Sequence, residues 1–279
     1  MLGSSSSKDA MKLNFFFDID GTLLPFGKDV PSSAVSAIAD LRKAGHRVFL
    51  ATGRSTAEVP SKLDSIRFDG GVYSAGAKVI ADGRILYRRV FSEDEKAFLF
   101  RSVKELGIDV MIQTDQGTYL TESSSSFFRD AMLAHVGRVI DIPNCIITDS
   151  IPDDIEINKF LFVSRDRRGY EVRRILESRF AVVDNTVCLP QDMAAEAVLK
   201  DITKATGINH ILEHYGDSRE SVVAVGDGAN DIEMIEYAFL GIAMGNASES
   251  LKRAADYISR GADDDGLADA VRYAVSVLC

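Results

Sequence analysis

Asn14-Phe15-Phe16-Phe17-Asp18-Ile19-Asp20-Gly21-Thr22 is the stretch of this sequence that decides the fold. Its three phenylalanines form a short, bulky apolar run, which predicts a buried strand that ends where the acidic residues begin. Gly21 then lets the backbone turn sharply away from the sheet. Two carboxylates would thus lie at the carboxyl edge of a parallel strand, where open α/β sheets bind their ligands. For these residues alone, a strand followed by an Asp-rich turn is an equal alternative.

The composition is that of an ordinary globular protein, and it narrows the class of partner. The 279 residues allow one large domain or two modest ones, with 46% hydrophobic and 27% charged residues. A net charge of -10 and an isoelectric point near 5.0 argue against nucleic acid or an anionic membrane, since both require basic patches. No apolar run approaches the ~18 residues of a membrane span.

The N-terminal residues and the cysteines bear on processing and location. Residues 1–10 are Ser-rich and lack an apolar segment, so we interpret them as a disordered tail or cloning remnant before a natural start at Met11. Cys145, Cys188 and Cys279 are odd in number, far apart and without metal-ligand spacing. They predict a reduced, cytoplasmic protein in which each cysteine is a packing residue.

The first part of the chain alternates predicted strands and helices. After the first strand, a helix that begins at Ser32 or Ser33 would end at Gly45. A strand over residues 46–51, a helix over 57–63 and a strand over 71–74 follow. This order predicts a parallel, doubly wound, Rossmann-like sheet.

The middle of the chain has a different character. Predicted hairpins at residues 79–87 and 110–121 are mixed with helices, which indicates an α+β unit with an antiparallel sheet. The alternating pattern returns after Pro190. We therefore predict an α/β core built from residues 11–83 and 191–279, with a second domain inserted at residues 84–190.

Chemically suited side chains fall at the predicted strand ends and helix starts of the core. Asp18 and Asp20 follow the first strand, Thr52-Gly53-Arg54 follows the second, Lys204 opens a helix, and Gly226-Asp227-Gly228-Ala229-Asn230-Asp231 follows a later strand. Carboxylates such as those of Asp18 and Asp227 suit a hard cation such as Mg²⁺. Thr52 and Lys204 would offer a hydrogen bond and a positive charge to a phosphoryl group.

In this order, these motifs resemble those of the haloacid dehalogenase (HAD) superfamily of phosphohydrolases. The insertion between the second and third motifs, and the form of the last motif, are similar to the Cof-type branch of that superfamily. The resemblance covers nearly all of residues 12–279 and includes the stretches 242–247 and 265–267. It implies a Rossmann-like core with an inserted cap that selects the substrate.

The resemblance also implies a role for each motif residue. Asp18 would be the nucleophile that forms an aspartyl-phosphate, and Asp20 would protonate the leaving alcohol and then activate water. Thr52, Gly53, Lys204 and Asn230 would bind the phosphate. Mg²⁺ would be held by Asp18, the backbone carbonyl of Asp20, Asp227 and, directly or through water, Asp231. Arg54 would meet the rest of the substrate.

Two positions depart from the pattern of the branch. Its lysine is often followed by glycine, whereas Ala205 follows Lys204 here, so Lys200 is an alternative phosphate-binding lysine. Ala75-Gly76-Ala77 stands where the branch commonly has Asn-Gly-Ala, so a contact from that asparagine is not expected.

Together these observations predict a Mg²⁺-dependent phosphomonoester hydrolase. Its substrate would be a small phosphorylated metabolite, with sugar phosphates favoured by the resemblance. A phosphomutase with the same aspartyl-phosphate chemistry and a non-catalytic phosphometabolite-binding regulator are the alternatives. The protein is expected to act in the cytoplasm as a monomer or weak homodimer, without nucleic acid or membrane as a partner.

Overall fold

The computed structural model describes residues 12–137, 139, 142–185, 187 and 189–279. Residues 1–10, predicted to form a tail, lie outside the described residues. In chain order the strands are β1 (Asn14–Phe17), β2 (Arg47–Ala51), β3 (Gly70–Tyr73), β4 (Lys78–Ala81), β5 (Arg84–Arg88), β6 (Asp109–Gln113), β7 (Thr118–Thr121), β8 (Cys145–Thr148), β9 (Lys159–Val163), β10 (Ala181–Val183), β11 (Ala194–Val198), β12 (Val222–Gly226), β13 (Leu240–Ala243) and β14 (Tyr257–Ile258). The helices are α1 (Ser32–Lys43), α2 (Glu93–Leu106), α3 (Glu122–Val136), α4 (Gly169–Leu176), α5 (Lys204–Tyr215), α6 (Ile232–Tyr237), α7 (Glu249–Ala254) and α8 (Gly266–Leu278).

The described chain divides into two compact units. The first comprises residues 12–50, 65–70 and 212–279, and the second comprises residues 51–64 and 71–211. The division into a core and a cap at residues 84–190 follows the family pattern and stays a prediction. Within the described ranges, no helix is both long and apolar enough to cross a membrane.

The first unit contains five parallel strands in the order β14-β13-β12-β1-β2. β1 lies between β12, from the far end of the chain, and β2, so the sheet grows outward from β1 in both directions. This is the arrangement of a doubly wound sheet, whose strand order reverses at such a point. All four residues of β1 are buried, as expected for a parallel strand covered on both faces. The predicted Rossmann-like core is confirmed.

The second unit contains a six-stranded sheet in the order β10-β11-β9-β6-β7-β8. Its pairs are antiparallel except for the parallel pair β7 and β8, so the predicted antiparallel α+β arrangement is present. One hydrophobic cluster contains Phe160, Phe162 and Phe180, and another contains Leu161 and Phe128. Strand β11 belongs to this sheet although it lies beyond residue 190.

Two details of the sequence prediction are wrong. The helix expected over residues 57–63 is replaced by two short 3₁₀ turns, Thr56–Glu58 and Ser61–Leu63, separated by Pro60. Proline lacks an amide hydrogen and disfavours helical geometry in the residue before it, so a continuous helix cannot form. Cys145 and Cys279 are exposed, not packed in the core, and Cys188 lies outside the described residues.

A strained turn follows β3 in the second unit. Ser74, Ala75 and Gly76 all have positive φ angles, of 50°, 56° and 114°. An L-residue pays a steric cost in this region because its Cβ approaches the following carbonyl oxygen. Backbone hydrogen bonds hold the turn, since Ser74 N donates to Arg54 O over 2.8 Å and Ala75 N donates to Thr52 O over 3.0 Å. Strain of this kind concentrates at functional sites.

We expect Ala75→Gly to raise the free energy of unfolding by roughly 0.5–1 kcal/mol, because glycine adopts positive φ without this cost. Urea denaturation of the purified protein would measure the change. Ala77→Gly is the matched control, since Ala77 is buried with a right-handed φ of -70° and should be destabilised by the same substitution. Equal destabilisation of both variants would contradict the assigned strain.

Candidate active site

An acidic cluster lies at the point where the order of the parallel strands reverses. β1 and β12 are neighbours, and Asp18 N donates to Val225 O over 3.0 Å, so the residues that follow the two strands emerge side by side. Carboxylate oxygens of Asp18, Asp227 and Asp231 lie within 4.8 Å of one another. The structure therefore brings together three of the predicted metal ligands.

The donor set of this cluster fits Mg²⁺. All three side chains offer hard carboxylate oxygens, whereas zinc prefers nitrogen and sulfur ligands. Asp18 and Asp231 are buried, with 5% and 0% of their surfaces exposed. At an effective dielectric constant of about 20, two unit negative charges 4.8 Å apart repel by about 3.5 kcal/mol. A bound divalent cation would remove this repulsion.

Hydrogen bonds fix the orientation of Asp227. The Oδ2 atom of Asp231 accepts hydrogen bonds from the N–H groups of Asp227 and Gly228, over 3.0 and 2.9 Å. These bonds fix the loop that carries Asp227, a candidate metal ligand. Thr22 Oγ1 donates to Asp227 Oδ1 over 3.3 Å. Thr22 belongs to the first motif, but the sequence did not indicate this role for it.

Gly21 allows the first turn to approach Asp227 closely. Its φ is +81°, and a Cβ placed on it would lie 2.0 Å from Asp227 Oδ2. Any side chain at this position would collide with the carboxylate. Glycine is thus required at position 21 for two reasons: its positive φ and the lack of space for a Cβ. The sequence had indicated only the first reason.

We expect Gly21→Ala to displace the Asp227 carboxylate and weaken Mg²⁺ binding at least tenfold, measured by isothermal titration calorimetry. Gly45→Ala is the matched control, because Gly45 also has a positive φ, of +92°, but has no atom within 4 Å of the added Cβ. Both variants should lose roughly 1–2 kcal/mol of stability from backbone strain. Only Gly21→Ala should lose metal affinity, and unchanged affinity in that variant would refute the steric argument.

Asp20 and Asn230 lie in the two loops that follow β1 and β12. Asp20 is partly exposed, and its loop closes through a bridge to Leu24 and a 2.9 Å hydrogen bond from Gly21 N to Leu24 O. The Oδ1 atom of Asn230 folds back over Gly228, where an added Cβ would lie 2.4 Å away. The proton-transfer and phosphate-binding roles of these two residues remain predictions.

The predicted phosphate-binding threonine lies in the second unit, directly after β2. Thr52 is buried, and its Oγ1 atom accepts the N–H of Arg54 over 3.1 Å. A hydroxyl has one donor and two acceptor positions, so this hydrogen bond leaves the hydroxyl proton to donate elsewhere. Gly53, between the two residues, is partly exposed. The loop is therefore suited to present a donor to an anion.

The two candidate lysines differ in environment. Lys204 is the first residue of α5 and is only 1% exposed, whereas Lys200 is exposed and donates to Ser178 O over 3.3 Å. The strained turn connects Lys204 with the Thr52 loop, because a Cβ on Gly76 would lie 2.2 Å from the carbonyl oxygen of Thr203. This geometry favours Lys204 over Lys200.

A buried carboxylate that the sequence did not indicate supports the Thr52 loop. Glu58 is 3% exposed and accepts hydrogen bonds from Ser55 N, Gln113 Nε2 and Thr118 Oγ1, over 2.9, 2.6 and 2.7 Å. Its backbone carbonyl accepts Arg54 Nη1 over 2.9 Å. Glu58 thus ties the loop that carries Arg54 to strands β6 and β7. The sequence Ser55-Thr56-Ala57-Glu58 is a helix capping box, which indicates the contact with Ser55. It does not indicate the contacts with Gln113 and Thr118, because those residues lie far away in sequence.

Comparisons of the chain with known proteins give consistent results. A family model described as haloacid dehalogenase-like hydrolase matches residues 15–271. The 5-amino-6-(5-phospho-D-ribitylamino)uracil phosphatase YitU of Bacillus subtilis is 26% identical over 268 residues, which cover 90% of this chain and 93% of that protein. Among solved structures, the HAD subclass IIB sugar phosphatase BT4131 is 27% identical, with a TM-score of 0.75 and coverage of 94% of this chain and 98% of its own.

Another similar structure comes from crystallographic work on a trigonal-bipyramidal intermediate in a phosphoryl-transfer superfamily. It is 26% identical, has a TM-score of 0.78 and covers 94% of this chain and 98% of its own. The family model, the related proteins and the solved structures therefore all indicate similarity to phosphoryl-transfer proteins.

Proposed function

Since the chain belongs to the haloacid dehalogenase-like hydrolase family and is a phosphatase of its Cof-type branch, we propose that it hydrolyses small phosphorylated metabolites with Mg²⁺, through an aspartyl-phosphate. The observation that carries the proposal is the cluster of Asp18, Asp227 and Asp231 at the strand-order reversal. Ligands of open α/β sheets bind at such a point. The family resemblance supplies the reaction type.

The proposed reaction has two displacements at phosphorus. A carboxylate oxygen of Asp18 attacks phosphorus while the bond to the substrate oxygen breaks and Asp20 donates its proton to that oxygen. Asp20 then removes a proton from water, whose oxygen attacks phosphorus and releases Asp18 and inorganic phosphate. When bound, Mg²⁺ would neutralise the charge of the phosphoryl oxygens and help to align them.

The remaining residues bind and orient. We assign Thr52, Gly53, Lys204 and Asn230 to the phosphoryl oxygens, by resemblance to the family. The buried position of Lys204 and the hydroxyl geometry of Thr52 support these roles. Phosphoryl transfer requires chiefly positioning and charge neutralisation from the protein, and these residues would supply both.

We expect Asp18→Asn and Asp20→Asn each to lower turnover about a thousandfold or more while the fold is retained, because a nucleophile and a proton shuttle have no substitutes. Phosphate release measures turnover, and circular dichroism checks the fold. Asp40→Asn is the matched control, since Asp40 is an exposed residue of α1 paired only with Lys43 in the described contacts. If folded Asp18→Asn kept more than a few per cent of activity, Asp18 would not be the nucleophile.

We further propose that the natural substrate carries a sugar or sugar-alcohol phosphate. BT4131 is named as a sugar phosphatase, and the substrate in the name of YitU contains a phosphorylated ribityl group. Arg54 is our candidate for contact with the organic part of the substrate, because it follows the phosphate-binding loop and is only partly buried. The net charge of -10 makes nucleic acid a poor alternative.

We expect sugar phosphates to give the highest kcat/KM in a panel that also contains nucleotides, pyridoxal phosphate and a phosphopeptide. The assay should record both inorganic phosphate and isomerised sugar phosphate, because the second product would identify a phosphomutase. A phosphopeptide or nucleotide hydrolysed well ahead of every sugar phosphate would overturn the substrate proposal.

Assembly and location complete the proposal. We propose a monomer or weak homodimer in the cytoplasm, without nucleic acid or membrane as a partner. The acidic composition supports the choice of partner, and the odd number of widely spaced cysteines supports the reducing compartment.

A further inference from the structure

Asn246 links three loops of the first unit around the candidate metal ligand. It follows β13, and its Nδ2 atom donates to Gly21 O over 2.9 Å and to Asp227 Oδ2 over 3.4 Å. Its Oδ1 atom accepts the N–H of Ala262 over 2.8 Å. One amide side chain thus joins the turn after β1, the loop after β12 and the loop after β14.

Its partners fix which way the amide points. The N–H of Ala262 can only donate, and the carbonyl oxygen of Gly21 can only accept. The reversed amide would face each of them with the wrong atom, so the –NH₂ group must lie toward Gly21 and Asp227. The donor that reaches Asp227 is therefore dictated by the backbone of two other loops.

The backbone around Asn246 is also held in place. Met244 N donates to Gly226 O, and Gly245 N donates to Arg260 O, both over 2.9 Å. Gly245 lies so close to the loop after β14 that an added Cβ would be 2.7 Å from Gly261 N. The side chain of Asn246 therefore starts from a fixed point between these loops.

We infer that Asn246 is a positioning residue for metal binding, which holds the Asp227 carboxylate and the Gly21 turn in the arrangement that receives Mg²⁺. The inference rests on the proposed function, because the identity of the bound metal as Mg²⁺ is taken from it. Asn246 donates to Asp227 Oδ2 and Thr22 donates to Asp227 Oδ1, so the plane of the carboxylate is held from both oxygens. A carboxylate offers about four lone-pair positions, so both oxygens can still bind a cation.

The expected loss of Mg²⁺ affinity can be estimated from other metal sites, in which residues that hydrogen-bond to a metal ligand have been removed. Loss of such a partner typically lowers metal affinity 10- to 100-fold. The contact from Asn246 Nδ2 to Asp227 Oδ2 is long, at 3.4 Å, so the lower end of this range applies. We expect the Mg²⁺ dissociation constant of Asn246→Ala to rise about tenfold.

Isothermal titration of Mg²⁺ into the purified protein tests this directly, without substrate. Asp227→Ala defines complete loss of the site. Ser248→Ala is the matched control from the same loop, because Ser248 Oγ accepts Leu251 N and caps α7. It should lower thermal stability and leave Mg²⁺ affinity unchanged. An Asn246→Ala protein with wild-type affinity and only a lower melting temperature would overturn the inference.

Activity assays give a second readout that separates positioning from general damage. The rate of Asn246→Ala should approach the wild-type rate as Mg²⁺ is raised, whereas a damaged fold would lower kcat at every concentration. If the wild type binds Mg²⁺ at Asp227 but hydrolyses no phosphomonoester, the proposed function fails and the calorimetric result still decides the role of Asn246. A wild type that binds no Mg²⁺ would overturn both.

Discussion

The parallel pairing of β1 with β12 is the constraint on which the site depends. It joins residues more than two hundred positions apart and aligns Phe17 with Val225. The acidic loops that follow the two strands therefore lie next to each other at the carboxyl edge of the sheet. Every residue of both strands is buried, so the pairing is stabilised by the removal of their apolar side chains from water. This stabilisation offsets the repulsion between the carboxylates of Asp18, Asp227 and Asp231, which the two strands hold close together.

Local signals made the architecture and the motif residues predictable. The Phe-rich run and the Asp-Gly turns act over a few residues, so the sequence alone indicates them. Asn246 and Glu58 were not identified as supports because their partners lie elsewhere in the chain: Asn246 reaches Gly21 across 225 positions, and Glu58 reaches Gln113 across 55. Supporting residues of this kind are defined by tertiary contacts, and a motif does not contain that information.

Strand β11 is a second feature that depends on a tertiary contact and could not be predicted from the local sequence. Its sequence, Ala-Ala-Glu-Ala-Val, is weak for a strand and places a charge at its centre, yet all five residues are buried. The charge is tolerated because Glu196 pairs with Lys159 on β9 over 2.6 Å. A buried carboxylate needs such a partner, and nothing near Glu196 in the sequence reveals it.

The exposed cysteines make the protein convenient for single-molecule work. Cys279 belongs to the first unit and Cys145 to the second, so native thiols already offer one dye position in each. Although Cys145 is exposed, desolvation by neighbouring protein atoms raises the pKa of its thiol, which lowers the fraction of reactive thiolate there at neutral pH. With Cys188 replaced by serine, a fluorescence donor and acceptor on these two residues would follow the distance between the units during turnover.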